Sequence, residues 1–158
     1  VLSTYGHTAK KWCATSGDFM LAFTGHEDEV FCARSSADGA VVVTSSADQT
    51  ARLWNAETGE CVLVFSGHEG PVFWADFCPD GRAAVTSSAD GTGRVWNLET
   101  GESTLTIEGA TEEGFIASAF SADGCLLVVV TSGSLVPEVF DAKTGEKVAC
   151  LEGHEAAV

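Results

Sequence analysis

The sequence predicts an all-β chain made of consecutive four-stranded antiparallel sheets, and three observations predict it. A unit of 42 residues repeats: residues 25–66 laid on 67–108 without a gap give 23 identities in 42 positions. Inside each copy, short runs rich in Val, Thr and Ser are broken by turn signals every ten residues or so, the pattern of short strands. With 45% hydrophobic and 20% charged residues, the composition is that of a packed globular chain.

The elements follow in order. Residues 1–24 match the second half of a unit shifted by 42, with Ser3, Thr4, Tyr5, Gly6 and His7 under Ser45, Ser46, Ala47, Asp48 and Gln49, and Trp12 under Trp54. Thr15-Ser16-Gly17-Asp18 then corresponds to the Glu57-Thr58-Gly59-Glu60 turn, and 19–23 to an outer strand. Residues 25–66 form the first complete unit, with strands expected at 30–36, 40–46, 50–54 and 61–65. Asp38-Gly39 between the first two is a tight-hairpin dipeptide. Residues 67–108 repeat the plan, with strands near 72–78, 82–88, 92–96 and 103–107. Residues 109–152 are a degenerate copy: Gly109-Ala110 stands for Gly-His, Thr131-Ser132-Gly133-Ser134 lacks the turn Asp, and Phe140 replaces Trp. Pro137 is expected within its third strand, where a ladder donor is lost. Residues 153–158 open a further repeat with Gly153-His154.

Gly25-His26 with Trp54-Asn55, then Gly67-His68 with Trp96-Asn97, at a period near forty, resemble the WD40 repeat, with Asn in place of the usual Asp. The resemblance implies four-stranded blades of a β-propeller. Such rings usually close with about four to eight blades, so the chain is expected to be a partial propeller or a fragment of a larger ring. The remaining blades are expected from the same full-length chain; a second copy of the chain, or a small ring closed by sharing strands between the ends, are the other routes.

The resemblance also assigns roles. His26, Ser46, Asp48 and Trp54, matched by His68, Ser88, Asp90 and Trp96, keep a His-to-Asp spacing of 22 and an Asp-to-Trp spacing of 6 both times. They are implied to hydrogen-bond across the blade, the indole N–H, Ser hydroxyl, His ring and turn Asp in one network, since each is costly to bury without a partner. Alone, Ser, His and Asp would suggest nucleophilic catalysis; a set that occurs twice reads as a fold device. By the same resemblance, one narrow face of the sheets carries Tyr5, Glu29, Phe31, Ala47, Pro71, Phe73 and Ala89. Phe31 and Phe73, ringed by Glu27, Asp28, Glu29 and Glu69, form a candidate hot spot for a basic-hydrophobic peptide; alternatively both rings pack between blades or line the channel. His7 is expected as an exposed turn residue without chemistry.

Net charge is −15, from 23 acidic against 8 basic residues, which disfavours nucleic acid and anionic membrane as partners. Six cysteines without a C-x-x-C pair point to scattered core thiols and neither a disulfide framework nor a metal site. A reducing compartment, the cytoplasm or the nucleus, is expected. No phosphate-binding glycine run and no H-E-x-x-H is present, so no cofactor and no catalysis are expected. The function expected is a non-catalytic interaction scaffold with a rigid acidic face, or else a structural component built permanently into a large assembly such as a cytoskeletal or ciliary complex.

Overall fold

The computed structural model describes residues 1–108, 114–131 and 136–153, and these hold fifteen strands and no helix. Strands β1 (Leu2–Tyr5), β2 (Thr8–Trp12) and β3 (Phe19–Thr24) make a three-stranded sheet. Three four-stranded sheets follow. They are β4 (Val30–Ser35), β5 (Val41–Ser46), β6 (Ala51–Asn55) and β7 (Cys61–Phe65); β8 (Val72–Phe77), β9 (Ala83–Ser88), β10 (Thr92–Asn97) and β11 (Ser103–Glu108); and β12 (Phe115–Phe120), β13 (Leu126–Thr131), β14 (Glu138–Asp141) and β15 (Lys147–Cys150). Each strand pairs antiparallel with the next in sequence, so every sheet is a meander, and the four sheets do not close into a ring.

Cores lie between sheets, not within them. Ala9, Phe23, Val30, Val42, Trp54 and Ala56 pack between the first and second sheets. Val43, Leu53, Phe65, Val72, Ala75 and Trp96 pack between the second and third, and Val85, Val95, Ile107, Leu127, Val129 and Phe140 between the third and fourth. The aromatic that ends each third strand thus packs back on the preceding sheet, with Phe23–Trp54 centroids 5.9 Å apart and Phe65–Trp96 5.3 Å. Burying one such indole is worth roughly 4–6 kcal/mol before entropy is counted. Because β5 and β9 are covered on both faces, Val42–Val43 and Ala84–Val85 are all buried, with the Thr-Ser-Ser that follows each pair. Alternation is lost there for the reason it is lost in any doubly covered strand.

Three expectations are corrected. Residues 1–24 carry three strands instead of a half-unit, because Leu2–Tyr5 pairs with β2. The ungapped match of that segment is also off by one: Ser3 faces Lys10 as Thr44 faces Arg52, so Tyr5 holds the place of Ser46, not of Ala47. The turn explains it, since Gly6-His7 has two residues where Ala47-Asp48-Gln49 has three. Pro137 lies just ahead of β14 instead of inside it, and its carbonyl accepts the Leu151 N–H at 2.9 Å. The return bond of that pair, from the nitrogen of residue 137 to the Leu151 carbonyl, is the one that proline cannot make. Gly109-Ala110, Ser132-Gly133-Ser134 and His154 lie outside the described residues.

Candidate interaction surface

Behind the face sits a polar brace, built twice. Trp54 Nε1 donates to Thr44 Oγ1 at 2.8 Å, Thr44 Oγ1 lies 2.7 Å from His26 Nε2, and His26 Nδ1 lies 2.8 Å from Asp48 Oδ2. The carboxylate can only accept, so the Nδ1–H donates to it; Nε2 of the neutral ring is then the acceptor, and the Thr hydroxyl, which takes the indole N–H, donates to it. Asp48 is saturated by further bonds from the Glu27 N–H (3.1 Å), the Thr50 N–H (3.0 Å) and the Thr50 hydroxyl (2.7 Å). In the next sheet Trp96, Thr86, His68, Asp90, Thr92 and the Glu69 N–H repeat every bond.

The hydroxyl between indole and imidazole is therefore Thr44 or Thr86, which corrects the role assigned to Ser46 and Ser88. Ser46 Oγ instead donates to the Asp28 carbonyl at 3.2 Å and accepts the Asp48 N–H at 3.1 Å, and Ser88 does the same with Gly70 and Asp90. Register is the cause. Trp54 faces Val42, so Thr44 is its diagonal neighbour on the same face while Ser46 lies four residues along, beyond reach. Glycine at the head of the unit is explained by the same packing. Gly25 has φ 152°, and a Cβ there would stand 3.3 Å from the Trp54 ring and 2.9 Å from Arg52 Nη1.

Burial lowers the pKa of His26 and of His68, against the pull of Asp48 and Asp90, so both imidazoles are neutral near pH 7. Burial alone would raise Asp48, but hydrogen bonds from Thr50, His26 and the Glu27 backbone outweigh it and hold the carboxyl at about 2; Asp90 is likewise held at about 2 by Thr92, the Glu69 backbone and His68. Hydroxyl, imidazole and carboxylate stand in the order of a nucleophilic triad. Thr44 is 0% exposed, however, and its oxygen already accepts the indole N–H, so no substrate reaches it.

All seven face residues gather at one end of the sheets. The Ala47 N–H donates to the Glu29 carbonyl (2.8 Å) and the Ala89 N–H to the Pro71 carbonyl (2.9 Å), while the Val30 N–H donates across to Gly6 of the first sheet (2.8 Å), next to Tyr5. Tyr5 is 84% exposed. Phe31 and Phe73 are each the extra residue of a bulge, between Val30 and Cys32 and between Val72 and Trp74. A bulge re-aims its side chain out of the strand alternation, and here the two rings meet with centroids 5.3 Å apart. Phe31 remains 38% exposed and Phe73 is half-buried; Glu27, Asp28, Glu29 and Glu69 are exposed beside them. Ala89 is covered by the next sheet at Gly114, where a Cβ would stand 2.6 Å from the Ala89 Cα.

Arg34, whose guanidinium carbon sits 4.7 Å from the centre of the Trp74 ring, escaped the sequence reading. Thr50 and Thr92 did too, although the repeated Asp-x-Thr of Asp48-Gln49-Thr50 and Asp90-Gly91-Thr92 signalled them. The thiols also depart from expectation: Cys32 and Cys78 are buried, while Cys61, Cys125 and Cys150 are exposed, and all six are free. Among the described residues, no three or more His, Cys, Asp or Glu side chains gather to hold a metal, and no helix is long and apolar enough to cross a membrane.

A family model described as the WD domain, G-beta repeat, matches residues 17–55 and 59–97. No match is found among curated proteins.

Proposed function

Because the chain belongs to the WD40-repeat family, whose repeats generally mediate protein–protein interaction, we propose that it is a non-catalytic scaffold binding protein partners at the sheet ends around Phe31 and Phe73. The observation that carries the proposal is the ring pair itself: two aromatics lifted out of their strands by equivalent bulges, one of them exposed, with Glu27, Asp28, Glu29 and Glu69 exposed in the segments that lead into the two strands. Aromatics near the centre of a desolvated patch supply most of the energy of an interface, and surrounding charge sets partner choice and on-rate. A segment presenting an apolar side chain flanked by Lys or Arg fits that arrangement. A net charge of −15 repels polyanions such as nucleic acid. The cytoplasm or nucleus is the compartment we assign to it.

The test is a titration of labelled peptides carrying Leu or Phe between Lys and Arg, against the same peptides with Glu for Lys and Arg. The basic set should bind and weaken with added salt. Phe31→Ser should weaken binding at least tenfold, which is the effect of losing a hot spot of about 1.4 kcal/mol or more, with the thermal midpoint of the free chain little changed. Equal binding of both peptide sets, or of Phe31→Ser and the parent chain, would sink the proposal. A second reading, permanent incorporation into a large assembly, is favoured by Phe19, 55% exposed on the first sheet, and Leu151, 45% exposed on the last where the interior sheets bury Phe65 and Ile107.

A further inference from the structure

We propose that Cys78 and Cys125 are a thiol pair that a peroxide converts to a disulfide joining the third and fourth sheets. Cys78 ends the strand segment before the Pro79-Asp80-Gly81 turn, where the neighbouring units carry Ser36 and Ser121. Those serines fold back on their own turns, bonding Asp38 at 2.6 Å and Asp123 at 2.5 Å. The Cys78 sulfur faces Asp80 of its own turn in the same way, but it also lies against the next sheet. It lies 3.0 Å from where a Cβ on Gly124 would stand, so it occupies the space that only a glycine leaves free, and Cys125 is the next residue. Both thiols line one groove of about 510 Å³ between the two sheets, with Phe120, Leu105 and Lys143 on its other walls.

The two cysteines differ in the way a stepwise oxidation needs. Cys125 is exposed, and Cys78 is buried. The thiolate of Cys125 attacks one oxygen of hydrogen peroxide; the O–O bond breaks, hydroxide leaves, and the sulfur becomes a sulfenic acid. Cys78, deprotonated, then attacks that sulfur; the S–O bond breaks, and hydroxide leaves and takes up the proton as water. Two thiols and one peroxide give one disulfide and two waters. Closure requires Cys125 to rotate away from the Asp123 carbonyl, which its sulfur now contacts at 3.7 Å. A long contact of this kind is weak and easily given up.

The test is peroxide titration of the folded chain, alkylation of remaining thiols, and digestion with trypsin and a glutamate-specific protease without reductant. Cleavage after Glu69, Arg82, Glu113 and Glu138 isolates Cys78 in residues 70–82 and Cys125 in residues 114–138. The expected result is one dominant cross-link between these two fragments and a higher thermal midpoint for the oxidised chain. Cys78→Ser should leave Cys125 as a sulfenic acid trapped by dimedone, and Cys125→Ser should abolish the cross-link. The same oxidation in urea should scatter links over several cysteine pairs. A folded chain that scatters them too, or one whose Cys125 accumulates as much trapped sulfenic acid as Cys78→Ser does, would overturn the proposal.

Discussion

Thr86 joins two buried groups, the Trp96 N–H and the unprotonated His68 Nε2, that have no other partner within the brace. Replacing it with the nearly isosteric Val keeps the volume and strands both. An unpaired buried polar group costs about 1–3 kcal/mol, so Thr86→Val should lower the free energy of urea unfolding by roughly that much, with an unchanged slope. Ser88→Ala should cost less, since of the two groups that it bridges only the Gly70 carbonyl is buried while the Asp90 N–H is half-buried; equal losses would contradict the assignment. The fourth sheet has made the opposite bargain. Register places Val129 where Thr86 stands and Phe140 where Trp96 stands, so hydroxyl and indole are lost together and neither is left unpaired. His68 also makes stability depend on pH. The unfolded chain protonates this imidazole as pH falls through about 6.5, whereas burial keeps it neutral in the folded sheet. Below that pH the unfolded state holds the extra proton, and stability falls. Relief of the net charge of −15 acts in the other direction, but equally in a variant lacking His68. The gap in urea midpoint between the parent and His68→Gln should therefore narrow from pH 7 to pH 5, and a constant or widening gap would count against a buried neutral imidazole. His, Asp and Trp of this brace were legible from the repeat, because their spacing survives in both copies. Thr44 and Thr86 were not, because Val-Thr-Ser-Ser offers two hydroxyls on one face and only the register with the next strand selects between them.

Turns decide where each sheet places its side chains. Gln49 has φ 69°, a left-handed conformation that the equivalent Gly91 adopts at φ 81°. A side chain there costs about 1–2 kcal/mol, of which the extra freedom of glycine in the unfolded chain returns roughly 0.5–1. Gln49→Gly should thus stabilise the chain by up to about 1.5 kcal/mol, read as a higher urea midpoint; a lower midpoint would show that Gln49 makes a compensating contact. A two-residue turn at Gly6-His7 explains why Tyr5 was misplaced by an alignment that assumes equal turn lengths. The bulges at Phe31 and Phe73 were equally hidden. Strand existence was plain from Val-rich runs and Asp-Gly turns, and observed bounds fall within about one residue of those expected in both complete units, as boundary uncertainty allows. An extra residue inside a strand leaves no comparable signal. The aromatic pair was found through its matched positions in the repeat, while the mechanism that aims both rings outward belongs to backbone pairing alone.

Sheets of this kind cannot bury both faces by themselves, and each interior layer of the molecule is completed by a neighbour. Trp54 and Trp96 are covered by Phe23 and Phe65 of the preceding sheets. Trp12 holds the same place on the first sheet, yet among the described residues its ring contact is with Phe19 of its own sheet, at 5.7 Å, and its N–H bonds the exposed Ser3. Phe19 is 55% exposed, and at the other end of the array Leu151, in the place that the buried Phe65 and Ile107 hold in the interior sheets, is 45% exposed. Stacked repeats need their outer faces capped to stay soluble. In solution the chain by itself should therefore self-associate with rising concentration, the sedimentation coefficient climbing across the series. Phe19→Glu combined with Leu151→Lys should bring it back toward the monomer value without lowering the thermal midpoint, since both side chains are exposed and lie outside the cores between sheets. If the parent chain instead sediments as a monomer throughout the series, its outer faces need no partner, and the reading of a component fixed in a larger assembly loses its support.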